Sequence, residues 1–268
     1  MTVVKKLGYE LKFDVNEAKK RVDFLDKLRI DRALSDTTES FQLVFKLIPL
    51  LLHFNHPDLP GYVANAPTGI ARFSLSGFQQ DYLARTLSEE QRKNIQKNHR
   101  TFEQEAILGV YVMGSIASIA QTPSSDLDIW ICHREDLSQS ALELLQQKTN
   151  VIQQCAKRFQ VEINFYLMDQ KRFRCFRYTE LMDGENCGST QYMLLLDEFY
   201  RSAIRLAGKP LLWLHLLVER EENYEAEIEH LTQEGQLDLN DWVDFGGLGS
   251  FSANEYFGAS LWQLYKGI

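Results

Sequence analysis

The sequence predicts an α+β protein, and three observations carry that reading. Over the first hundred residues apolar side chains recur three and four apart, the period of an amphipathic helix. From Ile107 the texture changes to short apolar runs bounded by glycine, aspartate and proline, which read as strands. Between the second and third of these runs the helical period returns.

The elements follow in order. Asp14 with Glu17 marks a helix start, and Val15, Ala18, Val22, Leu25 and Leu28 form the apolar stripe behind it. A second helix is expected over Ser40 to Leu52, where Phe41, Val44, Phe45, Ile48 and Leu52 share one side. Pro49 lies inside that span and predicts a kink or an early end. Residues 55–69 carry Pro57, Pro60, Gly61, Pro67 and Gly69 and read as a turn-rich loop, and the polar stretch 88–105 as an exposed helix or connector. Strands are expected at Ile107–Met113, Asp128–Cys132 and Val161–Leu167, the last with clean alternation in its first half. The intervening helix opens on a capping box of Ser140 and Glu143 and carries Ala141, Leu142, Leu145, Ile152, Cys155, Ala156 and Phe159 as its stripe. A helix over Thr190 to Ala207 is expected to close on Gly208. Leu211–Val218 reads as a further strand, and the C-terminal part as helical with a capping box at Ser252 and Glu255. The chain thus divides into a mainly helical region 1–105, a core 106–220 and a helical segment 221–268.

Composition narrows the function classes. The chain has 268 residues, 29 Lys plus Arg against 37 Asp plus Glu, and a net charge of −8. With 44% hydrophobic and 12% aromatic residues it is not disordered. The acidic balance disfavours a long nucleic-acid partner, which needs a phosphate-tracking basic surface. Four cysteines at 132, 155, 175 and 187 form no CxxC pair and read as reduced, mostly buried thiols. No apolar leader follows Met1. Residues 106–125 are uncharged over a membrane-spanning length but include Gly, Gln, Pro and several Ser and Thr, so no integral membrane segment is expected and the location is cytoplasmic.

The informative segment is Gly114-Ser115, ten intervening residues, then Asp126-Leu127-Asp128. A strand ending at Gly114 lets the backbone approach a ligand closely. Ser115 is expected to open a short helix whose N–H groups and hydroxyl suit a phosphate. Alternation then places Asp126 and Asp128 on one strand face, about 7 Å apart. Trp130 shares that face and reads either as a nucleotide contact or as core. In the third strand Glu162, Asn164 and Tyr166 share one face, so neighbouring strands would set Glu162 beside the aspartates and complete a three-carboxylate metal cage with phosphate oxygens. The Gly-containing loop Asp183–Ser189 reads as either a nucleotide-closing loop or a turn. His53 and His56 form an HxxH with no third ligand and are read as structural.

These residues resemble the DNA polymerase β-like nucleotidyltransferase superfamily, and the wider chain resembles the N-terminal catalytic region of class I, enterobacterial-type adenylate cyclases. The matching stretches include Leu59–Tyr62, Val112–Ser115, Ser124–Trp130, Asn186–Gln191, Leu195–Arg201, Arg205–Lys209 and Tyr256–Lys266. The resemblance implies a nucleotidyltransferase fold with a mixed sheet flanked by N- and C-terminal helices. It also implies conversion of ATP to cyclic AMP and pyrophosphate with Mg²⁺ or Mn²⁺. In that scheme Asp126, Asp128 and Glu162 are the metal and catalytic carboxylates, and Gly114, Ser115, Ser125, Trp130, Lys209 and Arg205 bind the nucleotide. Related cyclases are longer, so the chain is expected to be a catalytic fragment. A regulatory C-terminal region and sugar-phosphotransferase components are implied as partners outside it. Two rival readings keep the same site: a nucleotidyltransferase acting on a small acceptor or an RNA end, and a nucleotide-sensing module without turnover.

Overall fold

The computed structural model describes residues 14–35, 37–101, 105–122, 125–174, 189–216 and 223–248, with positions 257, 258 and 261. Two runs rich in β-branched and aromatic residues form its central strands, β1 (Ile107–Met113) and β2 (Leu127–His133). They pair antiparallel, with Met113 opposite Asp128. β3 (Ile163–Met168) lies parallel to β2, with Asp128 opposite Asn164, and β4 (Ile204–Gly208) lies antiparallel to β1 on the other side. The sheet therefore reads β3-β2-β1-β4 and is mixed, as an α+β fold of the expected kind requires.

Helices α1 (Val15–Ser35), α2 (Glu39–His53), α3 (Gly77–Thr86) and α4 (Glu89–Thr101) precede the sheet. α5 (Gln139–Lys157) makes the crossover between the parallel strands β2 and β3. Its N-cap is Ser138, whose hydroxyl accepts the Ala141 N–H, rather than Ser140. α6 (Gln170–Arg174) and α7 (Ser189–Ser202) lead to β4, and α8 (Tyr224–Gln233) follows.

Alternation along β1 and β2 sorts the core onto two faces. Val110, Val112, Leu127, Ile129 and Ile131 join Phe45, Ile48 and Leu52 of α2 and Leu145, Ile152 and Ala156 of α5. Tyr111, Met113, Trp130 and Cys132 face the other way and join Phe173, Phe199, Tyr200 and Phe245. On the first face Lys148 is fully buried, and its ammonium donates to the Phe54 carbonyl (3.1 Å), Asn55 Oδ1 (3.1 Å) and the Gly61 carbonyl (3.0 Å). Gly61 is left-handed, at φ +82°, and a Cβ there would lie 2.3 Å from Ile152 Cγ1. This pins the turn-rich loop to α5. His53 is structural too: its Nδ1 accepts the Ile70 N–H at 2.9 Å and its ring stacks on Phe73.

Several expectations are corrected. α2 does not end at Pro49 but runs on to His53, with the proline buried. The helix expected to reach Ala207 stops at Ser202, and 204–208 is the edge strand β4, so Gly208 ends a strand. Of the strand expected at Leu211–Val218, the described part, 211–216, is not a strand, and 217–218 lie outside the described residues. Leu211 makes one isolated bridge to Val243, and Trp213–His215 is a 3₁₀ turn. In α1, Leu25 and Leu28 are exposed, and the buried positions are Val15, Asp26 and Ala33. The cause is electrostatic as well as apolar, because α1 packs on β4 with Asp26 turned toward Arg205. Within the uncharged stretch 106–125, residues 107–113 form β1 and 114–120 a turn, and among the described residues no helix is long and apolar enough to cross a membrane. Cys132 is buried and Cys155 half-buried, both as free thiols. Cys175, Cys187, the loop 183–188 and the Ser252–Glu255 box lie outside the described residues.

Candidate active site at the end of the central strands

The antiparallel register of β1 and β2 brings the end of one strand to the start of the other, so Gly114 and Asp128 meet although fourteen positions separate them. Gly114 is left-handed at φ +87°, and a Cβ there would point at Asp128 Oδ2 from 3.7 Å. The position thus needs glycine for its conformation and carries the backbone over the carboxylate. The following residues do not form the expected helix. They make a turn in which the Ser118 N–H and hydroxyl both bond the Ser115 carbonyl, at 3.0 and 2.6 Å. The turn returns to Ser125, whose hydroxyl accepts the Ser115 hydroxyl at 3.2 Å and the Thr122 N–H at 2.9 Å. Gly114, Ser115, Ser125, Asp126 and Asp128 are therefore gathered at one end of the sheet.

The pair is joined from β3. Asn164 Nδ2 donates to Asp126 Oδ2 at 3.1 Å and to Asp128 Oδ1 at 3.0 Å. Tyr166, two residues on and on the same face, donates its hydroxyl to Asp128. Burial raises the Asp128 pKa, and the charges of Asp126 and Glu162 push the same way, while the bonds from Asn164 and Tyr166 oppose them. The same burial, reinforced by the Asp128 and Asp126 charges, raises the Tyr166 phenol.

The expected three-carboxylate cage is not assembled. Glu162 precedes β3, its carbonyl accepts the Leu127 N–H at 2.9 Å, and its side chain is exposed. Among the described residues no group of three or more His, Cys, Asp or Glu side chains is close enough to hold a metal ion. The parallel register sets Asn164 opposite Asp128, and its amide bonds both aspartates, while the Glu162 side chain just ahead of β3 stays exposed. Alternation had put Asn164 and Tyr166 on the right face, but only strand pairing says which residue of β3 meets the aspartates.

Three other expected contacts are not brought to the pair. Trp130 is 2% exposed, stacked on Phe199 at 3.9 Å and flanked edge-on by Phe173 and Phe245, so it is the aromatic floor of this face and not a nucleotide contact. Arg205 is opposite Tyr111 and bonds Asp23 on α1 at 2.5 Å and the Gly208 carbonyl at 3.2 Å. Lys209 follows Gly208, which pairs with Gly109, four residues and about 13 Å along β1 from Met113. Its ammonium is pushed down by burial and by Arg72, at the opposite end of the sheet from Asp128.

The donor set suits a hard divalent cation. Mg²⁺ is commonly held by one or two carboxylates with substrate phosphates completing its shell, and Asp128, its charge made costly by burial and by the neighbouring Asp126, is of that kind. Asp126 and Asp128 fit such an ion without a third carboxylate.

The family described as "Adenylate cyclase NT domain" matches residues 14–214. Among curated proteins, an adenylate cyclase of Pasteurella multocida (strain Pm70) is 65% identical over 259 residues, which cover 96% of this chain and 31% of that protein. The adenylate cyclase of Haemophilus influenzae is 57% identical, over 94% of this chain and 30% of its own length. That of Escherichia coli (strain K12) is 44% identical, over 95% and 30%. The chain spans just under a third of the length of these relatives. Among solved structures, a spectinomycin adenyltransferase from Enterococcus faecialis with ATP and spectinomycin aligns over 55% of this chain and 70% of its own, at 15% identity and a TM-score of 0.27.

Proposed function

The chain belongs to the family of adenylate cyclase N-terminal domains, and from that premise we propose that it cyclises ATP to 3′,5′-cyclic AMP and pyrophosphate at the Asp126–Asp128 end of the sheet. The observation that carries the reading is the carboxylate pair beneath the left-handed Gly114, tied by Asn164, inside the segment that matches the family.

In the reaction the ribose 3′-oxygen bonds to the α-phosphorus, the bond from that phosphorus to the β-phosphate oxygen breaks and pyrophosphate leaves, and the hydroxyl proton passes to solvent. Asp126 and Asp128 would hold Mg²⁺ or Mn²⁺. Such an ion, when bound, neutralises the triphosphate and makes the 3′-hydroxyl easier to ionise. Asn164 and Tyr166 fix the Asp128 carboxylate and limit its freedom to turn away. Ser115 and Ser125 present neutral hydroxyls to phosphate oxygens, which suits a site with no lysine or arginine between 106 and 125. Gly114 leaves the space a Cβ would take. Glu162 acts on Asp128 through its charge.

The test is to incubate the chain with ATP and Mg²⁺ or Mn²⁺ and resolve the products. Cyclic AMP with an equal amount of pyrophosphate is expected. Label transferred to an added acceptor, or ATP bound and unchanged, would replace cyclisation by transfer or by sensing.

A further inference from the structure

Outside the carboxylate pair, the turn 114–122 is fastened at two points to residues that no motif singles out. At its start, the Gly114 N–H donates to the Ser202 hydroxyl at 3.0 Å, and that hydroxyl donates on to the Glu198 carbonyl at 2.7 Å. At its end, Gln121 Oε1 accepts the Ala117 N–H at 2.6 Å, while Nε2 donates to the Ala33 carbonyl of α1 at 2.8 Å. Ala33 is fully buried, so this anchor point is fixed by core packing. The two fastenings share a base. Arg29, one turn before Ala33, donates to the Ala203 carbonyl at 2.7 Å and to the Ser202 carbonyl. Ala117 has φ +60°, a strained conformation for a residue with a Cβ, and such strain persists only where the surroundings over-determine it.

The geometry points to Ser202 and Gln121 as positioning residues: they hold the Gly114–Thr122 turn in its phosphate-receiving shape and tie that shape to α1. Neither touches the reacting atoms. The Gly114 N–H is already spent on Ser202, so its part is to set the turn over Asp128. This inference rests on the proposed function for its catalytic half and on geometry alone for its structural half.

The experiment separates the two halves. In the nucleotide-free chain, amide hydrogen exchange over 114–122 is compared for wild type, Ser202→Ala, Gln121→Ala and Ser202→Thr. Exchange about tenfold faster in both alanine variants is expected, the weight of roughly one hydrogen bond, with the wild-type rate kept by Ser202→Thr because it keeps the hydroxyl. Exchange unchanged in the alanine variants overturns the fastening whatever the enzyme does. Steady-state kinetics then test the role. A KM for ATP raised about tenfold with kcat changed less, at an unchanged melting temperature and restored by Ser202→Thr, supports positioning. A loss of activity that tracks the melting temperature, or a KM that stays put, overturns it. If the wild-type chain makes no cyclic AMP, the functional proposal fails on its own, and the exchange result still decides the fastening.

Discussion

On one face of the sheet, Val110, Val112, Leu127, Ile129, Ile131 and Ile163 are covered from end to end by α2 and α5. On the other, Tyr111, Met113 and Trp130 are sealed by Phe173, Phe199 and Phe245, yet one step along β2 from Trp130 the cover stops and Asp128 is only half-buried. The same strands supply both faces, so the difference lies in what lies over them. Aliphatic side chains favour continuous closure, because every gap forfeits contact. The aromatic face closes as far as its rings reach and then leaves a rim where paired carboxylates keep access to solvent and ligand. Aliphatic packing is concentrated on the first face, and the proposed chemistry lies at the edge of the second.

The largest effect that tests this division is Asp128→Ala. Removing one ligand of a metal site forfeits several kcal/mol of transition-state stabilisation, so cyclic AMP formation should fall by roughly 10³-fold. The melting temperature should stay within a few degrees, because the lost group is a carboxylate that burial penalises. A large drop in melting temperature would show that the rim also bears load. On the opposite face, Ile152→Ala should cost about 2–5 kcal/mol in a denaturant titration, since Ile152 is buried beneath Gly61, and should leave KM unchanged.

The two sides also carry buried titratable groups of opposite sign. Asp26 beside Arg205 is raised by burial to about 6, against 3.8 unfolded. The folded state therefore binds more protons between these values, and stability falls by up to ~3 kcal/mol as pH rises through them. Lys148 is pushed down by burial to about 7 from 10.5, so the unfolded state binds more protons in that window and stability rises with pH across it. Urea midpoints across pH should lose the acid slope in Asp26→Asn and the alkaline slope in Lys148→Met. The smallest effect is reserved for Glu162→Gln. With its side chain outside the pair, it should change kcat/KM less than about tenfold, or ~1.4 kcal/mol. A fall as deep as that of Asp128→Ala would restore the three-carboxylate cage.

The sequence by itself determined the class of fold, most of the helices, and the Gly114-Ser115 and Asp126–Asp128 segments on which the proposed site rests. Each is a local matter: period 3.6 against period 2, a glycine at a strand end, two carboxylates at alternate positions. The tertiary structure decided which neighbours those residues meet. Strand register put Asn164 rather than Glu162 beside Asp128. A five-residue edge strand replaced the end of a helix and carried Lys209 to the far end of the sheet, while α1 claimed Arg205. A cover of aromatic rings turned Trp130 from a contact into a floor. Alternation along one strand fixes the face a side chain points to. What lies opposite it depends on pairing between segments far apart in the chain, and that is settled only when the sheet is assembled.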